Sequence, residues 1–369
     1  MSLFTDTTPD QAPPRRRGRA GWTTLAVAVI GVGAVALVPA PYVIERPGPV
    51  FDTLSTVMVG EEELPLIDIT GETLYPTEGT LDMLTVTVSG NREQRPSWAA
   101  IAASWLDPSQ AVLPLDSVYP EGLTVEISNE RSQVDMVNSQ KQAVAAALTE
   151  LGYDLPTSIT VVSTEEDSPA DGVLEAGDII QSINGVEFAD VTELRAEIAT
   201  NGVDKAAQVT VLRDGESLDL EITPELSDAD TPVPVLGFLP GNDYDFPIDV
   251  KIQLEKVGGP SAGMMFALGI IDKLTPGALN GGENVAGTGT ITATGEVGPI
   301  GGIRQKMYGA LNSGATWFLA PADNCGDVVG HVPDGLDVYS VSTLDDALDV
   351  LDAIRTGEGL DDLATCTTS

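Results

Sequence analysis

Three textures of apolar and polar positions alternate along this chain. Residues 22–40 form an almost unbroken apolar stretch, and ~20 such residues suffice to cross a bilayer as a helix. Between 42 and 90 the apolar runs become short, as in Leu64-Pro65-Leu66-Ile67-Asp68-Ile69 and Leu84-Thr85-Val86-Thr87-Val88, with glycine-containing breaks between them. That pattern predicts strands. Alanine-rich stretches over 98–106 and 134–151, the second carrying Met136, Ala143, Ala147 and Leu148, predict helices.

A strand at Ile159-Thr160-Val161-Val162 leads into the loop Asp167-Ser168-Pro169-Ala170-Asp171-Gly172-Val173-Leu174 and then into Gly177-Asp178-Ile179-Ile180-Gln181-Ser182-Ile183-Asn184-Gly185-Val186. Val191, Leu194 and Ile198, spaced three and four apart, predict a helix. Val209 and Val211 before Asp214-Gly215, with Leu218, Leu220 and Ile222 after it, alternate around residues that tolerate positive φ and so predict a hairpin. Residues 224–247, with Asp228, Asp230, Pro232 and Pro234, read as an acidic connector. Beyond it come a strand at 248–252, a helix opening at Ser261, strands around 285–297, a helix carrying Lys306, and strands at 316–319 and 336–341. A last helix keeps Leu344, Leu348, Leu351 and Ile354 on one face, and the alternation predicts an α/β domain. A chain of 369 residues with 42% apolar content holds two folded units.

The formal net charge of −38 is unevenly placed, because Arg15, Arg16, Arg17 and Arg19 cluster just ahead of the apolar stretch. An acidic body argues against nucleic acid as a partner, since phosphate binding needs clustered Lys and Arg. Arginines before the stretch, and no comparable cluster after it, place the N-terminus in the cytoplasm and everything from about residue 41 outside. The competing reading is a cleaved signal peptide. Against it, Pro39 and Pro41 flank the one small-residue cut point near Ala40, and Trp22 and Tyr42 suit the two interfaces of a retained helix. An outward location would let the two cysteines, Cys325 and Cys366, form a disulfide. With a single histidine, His331, they match no zinc pattern, so no metal site is expected.

Gly258-Gly259-Pro260-Ser261-Ala262-Gly263 opens the apolar run Met264 to Ile271. The expectation is that Ser261 sits at the start of that helix, Pro260 in its first turn, with unpaired backbone N–H groups able to hold an oxyanion and the small residues Gly259, Ala262 and Gly263 leaving room for a substrate. The plainer alternative is a serine that caps a buried helix. A nucleophilic serine here must use His331 or a base of another kind, and a lysine serves. In the following helix Ile303, Met307 and Ala310 define the inward stripe. Lys306 lies ~60° from Ile303, while Arg304 and Gln305 fall ~100° and ~200° away, toward solvent. A desolvated amine loses its preference for the charged form and becomes a usable base; the plainer alternative is a stem whose ammonium reaches water.

Two resemblances follow from these motifs. Ser168-Pro169-Ala170, Gly177-Asp178-Ile179-Ile180 and Ile183-Asn184-Gly185 resemble a PDZ domain, which implies capture of an extended peptide as an added strand or a gating role. The segment ahead of Ile159, Leu151-Gly152-Tyr153-Asp154-Leu155-Pro156, departs from the glycine-hydrophobic loop that grips a terminal carboxylate. Gly259 to Gly263, and Pro299-Ile300-Gly301-Gly302 followed by Lys306, resemble the proteolytic domain of Lon-type serine proteases. That resemblance implies Ser261 as nucleophile and Lys306 as base, and extends through Gly289 and Gly295-Glu296-Val297, so that Thr288 matches the threonine that orients the lysine. The family often carries Lys-Asp before Gly-Pro-Ser, where this chain has Val257-Gly258.

No Gly-x-x-x-x-Gly-Lys-[Ser/Thr] phosphate loop occurs, so the expected enzyme works without its own ATP hydrolysis and without a cofactor. The whole chain resembles the membrane-anchored PDZ-containing Lon-like proteases of bacteria. The expected architecture is an α/β (α+β) Lon-type proteolytic domain interrupted by a mostly-β PDZ domain and preceded by one transmembrane helix. Its parts are a cytoplasmic tail (1–20), the span (21–41), the first part of the proteolytic domain (42–125), the PDZ domain (126–227), the dyad-bearing part (228–358) and a tail (359–369). The expected activity is a cell-membrane serine endopeptidase acting on protein or peptide substrates, as a homo-oligomer by resemblance. The rival expectation is a catalytically inactive PDZ scaffold.

Overall fold

The computed structural model describes residues 17–120, 125–188, 191–227, 232–254 and 257–367. Its organising element is the helix Gly263–Leu274, in which every residue from Gly263 to Asp272 is buried. A helix apolar all round must be covered on all sides. One side is a six-stranded sheet whose strands run in the order 337–341, 317–321, 284–287, 80–89, 42–52, 111–114. The first four pair in parallel and the last two antiparallel, with Val285 set against both Leu81 and Trp317. The other sides are the long helix Val125–Glu150, which contributes Met136, Ala143, Val144, Ala147 and Leu148, and the last helix Leu344–Thr356. That last helix is fixed at its start by a capping box between Thr343 and Asp346 and stops at Gly357 in the left-handed region. The helix Ile303–Ser313 covers a second cluster built on Leu84, Ala286 and Phe318.

The second unit is a five-stranded antiparallel sheet in the order 216–222, 207–213, 179–183, 157–164, 238–244, closed by the helix Val191–Asn201 over its own core. The hairpin forms at Asp214 and Gly215, both at positive φ, with Arg213 opposite Glu216. Its base is drawn together where Asp245 N–H donates to Pro156 C=O at 3.2 Å, so the unit is an insertion whose two ends meet.

Three expectations change. Residues 224–247 are no mere connector: Pro234–Val235 forms a two-stranded ribbon with Glu225–Leu226, and Phe238–Tyr244 pairs with Thr157–Thr164 as the sheet's fifth strand. Pro240 sits at a register shift on an edge strand, where a missing N–H costs nothing, and this hides the strand from periodicity. Residues 228–231, with Asp228 and Asp230, lie outside the described residues. The helix Val125–Glu150, within the stretch expected as the PDZ block, packs its buried face into the core around Gly263–Leu274.

The span expected over 21–41 is cut short. The helix is Arg17–Ala36, and the chain then turns through Leu37 and Val38 and pairs Pro39 with Ser97 before the strand Tyr42–Asp52. The uncharged part of that helix covers roughly 25 Å at ~1.5 Å per residue, less than the ~30 Å hydrocarbon core. Among the described residues no helix is long and apolar enough to cross a membrane. Residues 1–16 of the expected tail lie outside the described residues. Finally, Gln305 is buried rather than solvent-facing, and it borders a cleft shared with residues 104–113.

Cys325 and Cys366 are joined by a disulfide that spans 41 residues of sequence. It holds the C-terminal segment beside the strand Asp337–Val341, where Ser340 N–H donates to Ala364 C=O at 2.8 Å. Cys366→Ser is expected to lower the melting temperature by an amount corresponding to ~2–4 kcal/mol; calorimetry showing no change would mean the segment is held without the bond.

Candidate active site

Ser261 and Ala262 form the turn that feeds the helix Gly263–Leu274, so the serine stands just ahead of the helix rather than in its first turn. Gly259 adopts φ +87°, a conformation that an L side chain resists, and Pro260 follows it into the turn. The Ser261 carbonyl is held twice, by Gly289 N–H at 2.9 Å and by Thr288 Oγ1 at 2.9 Å. Met264 N–H is taken by Gly289 C=O and Phe266 N–H by Ala262 C=O. Among the described residues the amides of Ser261 and Ala262 have no backbone acceptor, so both are free to meet a negatively charged oxygen beside Ser261.

The helix Ile303–Ser313 delivers Lys306 from the other side. Its side chain is 1% exposed, and its Nζ lies 2.8 Å from Ser261 Oγ and 2.8 Å from Thr288 Oγ1. Thr288 is fully buried and commits its hydroxyl proton to the Ser261 carbonyl, so its oxygen is left to accept an N–H of Lys306. A neutral Lys306 held in this way turns its lone pair toward the Ser261 hydroxyl. Burial alone lowers the Lys306 pKa from 10.5 to about 7. Ser261 itself is half-buried, open to an incoming carbonyl.

His331 lies on the surface with its Nδ1 3.0 Å from Val329 C=O, and takes no part. The departure at Gly258 has a steric cause: a Cβ there would stand 2.6 Å from Ser132 Cβ on the helix Val125–Glu150. That helix leaves no room for the carboxylate expected from the resemblance. Among the described residues no group of His, Cys, Asp and Glu is arranged to hold a metal ion.

A second feature was missed in the sequence. Leu236-Gly237-Phe238 precedes the edge strand Phe238–Tyr244, with Gly237 at φ +78° and its carbonyl accepting from Glu165 N–H and Ser168 Oγ. Between this loop and the helix Val191–Asn201 lies a groove of about 630 Å³ bordered by Leu194, Arg195, Ile198 and Phe238. The glycine-hydrophobic loop exists, but at the end of the unit rather than before Ile159; the signal was the run Val235-Leu236-Gly237-Phe238.

Two family models match parts of this chain. Residues 254–353 match the family model of the Lon protease (S16) C-terminal proteolytic domain, and residues 123–223 match that of the PDZ domain. The Lon protease of Azospirillum brasilense is 43% identical over 94 residues, 24% of this chain and 11% of that protein. Lon protease 1 of Bacillus subtilis is 38% identical over 109 residues, 29% of this chain and 14% of its own length. The chain thus spans only a small fraction of these relatives. Among solved structures, the PDZ domain of an SdrC-like protein from Listeria innocua is 26% identical, covering 22% of this chain and 92% of that one with a TM-score of 0.21. The proteolytic-domain match and the Lon relatives support a serine-type peptidase.

Lys306→Met should raise the melting temperature while removing any lysine-dependent chemistry. The folded pKa of about 7 lies below the ordinary 10.5, so the unfolded chain binds more protons between the two values and the lysine's cost to folding shrinks across that window. The gain from methionine is therefore expected to be full below about pH 7 and to diminish toward pH 9, read by thermal melts at both ends; a gain that grows with pH would contradict a buried neutral amine.

Proposed function

We propose that this protein is a serine endopeptidase in which Ser261 is the nucleophile and Lys306 the general base, with protein or peptide substrates and no nucleotide hydrolysis of its own. The single observation that carries the reading is the buried Lys306 Nζ at 2.8 Å from both Ser261 Oγ and Thr288 Oγ1. Neutral Lys306 takes the Ser261 proton as Oγ attacks the scissile carbonyl, and the amides of Ser261 and Ala262 receive the oxyanion. The ammonium then gives its proton to the departing amine, leaving an acyl group on Ser261. Water, deprotonated by the same lysine, releases it.

The inserted domain supplies recognition in this reading. Phe238–Tyr244 is the edge of its sheet, so an extended peptide can add as a further strand between it and the helix Val191–Asn201. Backbone N–H groups of the Leu236-Gly237-Phe238 loop, with Arg195 at the groove, suit a peptide's terminal carboxylate. The same proposal places the catalytic body on the outer side of the cell membrane, held there through the arginine-led apolar segment, and assembles it as a homo-oligomer. The exposed Trp22, Leu25, Val27, Val29 and Ile30 and the Cys325–Cys366 disulfide support an anchored, oxidising location.

Membrane and secreted proteins compared between cells carrying the wild type and Ser261→Ala should show a precursor that accumulates only in the variant. In vitro, phosphonate labelling of Ser261 is expected to rise with pH around a midpoint near 7, as Lys306 loses its proton. Hydrolysis surviving in Ser261→Ala or Lys306→Ala would overturn the dyad.

A further inference from the structure

Residues 123–223 match the PDZ model, which would group the helix Val125–Glu150 with the recognition domain, yet its inner face reaches the nucleophile turn. Ser139 is 5% exposed in an otherwise apolar stripe between Met136 and Ala143. Its Oγ donates to Pro260 C=O at 2.9 Å. Seven residues earlier on the same face, the Ser132 carbonyl accepts Gly259 N–H at 2.7 Å. These two bonds hold the two residues directly before Ser261.

We propose that Ser139 is a positioning residue for the peptidase reaction, acting through the Pro260–Ser261 peptide to aim the Ser261 amide at the oxyanion. The Pro260 carbonyl and the Ser261 N–H belong to one planar, trans peptide unit, so they point in opposite directions. Fixing the carbonyl toward the long helix turns the N–H away from it, into the half-buried space beside Ser261 Oγ. The Pro260 carbonyl also accepts the Gly263 N–H, at a longer 3.4 Å; without the Ser139 bond only that weaker contact restrains the peptide plane, and an amide that must meet a developing charge loses its aim. The fit around the bond is close: a Cβ on Gly263 would stand 2.8 Å from Ser139 Oγ, and a Cβ on Gly258 2.6 Å from Ser132 Cβ. The chain keeps glycine at both positions, which lets the long helix lie directly against the turn.

The inference rests on Ser261 as nucleophile, and its test separates the two. In the full-length protein, Ser139→Ala is expected to lower kcat by about ten- to a hundredfold. KM should stay within about twofold, because substrate contacts are untouched. The pH midpoint of the reaction should stay where the wild type has it, because Lys306 keeps its partners, and affinity for a boronate that mimics the tetrahedral intermediate should fall together with kcat. A general structural defect would not hold KM and the pH midpoint constant while lowering boronate affinity. Wild-type kcat in Ser139→Ala overturns the inference, as does a loss that appears in KM alone.

Should Ser139→Ala not fold, Gly258→Ala decides. The added methyl pushes Ser132 and the helix away from the turn, kcat should fall, and Ser132→Gly in the same chain should restore part of it. Unchanged kcat in Gly258→Ala, or no restoration by Ser132→Gly, rejects the role of the helix. Ser261→Ala is the reference throughout: if it still hydrolyses substrate the dyad fails, whereas a dead Ser261→Ala beside a fully active Ser139→Ala removes only the positioning role.

Discussion

A lysine buried without a carboxylate partner is the constraint on which the rest of this structure depends. Desolvation penalises the charged amine, and among the described residues only hydroxyls, those of Ser261 and Thr288, stand within hydrogen-bond distance of its Nζ. That arrangement needs three elements brought to one point: the turn before the helix Gly263–Leu274, the segment after Asn284–Gly287, and the helix Ile303–Ser313. The parallel pairing of Val285 with Leu81 and Trp317 sets the register that carries Thr288 to the serine carbonyl. A slip there would part the threonine from both its partners, because neighbouring residues of a strand face opposite ways.

The core around the helix Gly263–Leu274 is assembled from chain on both sides of the inserted sheet. Strands Tyr42–Asp52 and Thr80–Ser89 precede it, while Ser261 and Lys306 follow it. Such an arrangement is tolerable because the insertion begins and ends at one place, where Asp245 meets Pro156. The long helix Val125–Glu150 then touches both units. Its face buries Met136, Ala143 and Leu148 in the core around Gly263–Leu274, Lys141 pairs with Asp243 on the edge strand Phe238–Tyr244, and Gln142 accepts Ala293 N–H at 2.7 Å. The Lys141–Asp243 pair is half-exposed and worth little by itself; the helix is held by its apolar stripe.

Much of this was legible before any coordinates, and for local reasons. A turn of small residues feeding an apolar run marks Ser261, a 3.6-residue stripe places Lys306 at a buried edge, and Asp214-Gly215 between alternating residues marks a hairpin, because each pattern lies within a dozen residues. What stayed hidden depends on partners far along the chain. The strand Phe238–Tyr244 pairs with Thr157–Thr164 some eighty residues earlier and carries Pro240 and Gly241, so nothing in its own composition announces it. Gln305 reads as solvent-facing on its helix, yet it is buried beside a cleft whose far wall, residues 104–113, comes from about two hundred residues earlier in the chain.

The sequence by itself determined the chemistry of the site, since the residue types and their spacing within each helix and turn decide which groups can attack, accept a proton or hold a charge. The tertiary structure decided how those groups are tuned. The depressed pKa of Lys306 requires walls from several elements. The glycine at 258, a departure when read along the chain, follows from a helix more than a hundred residues upstream lying against it. Burial and close approach are properties of pairs distant in sequence, and periodicity reports only on neighbours.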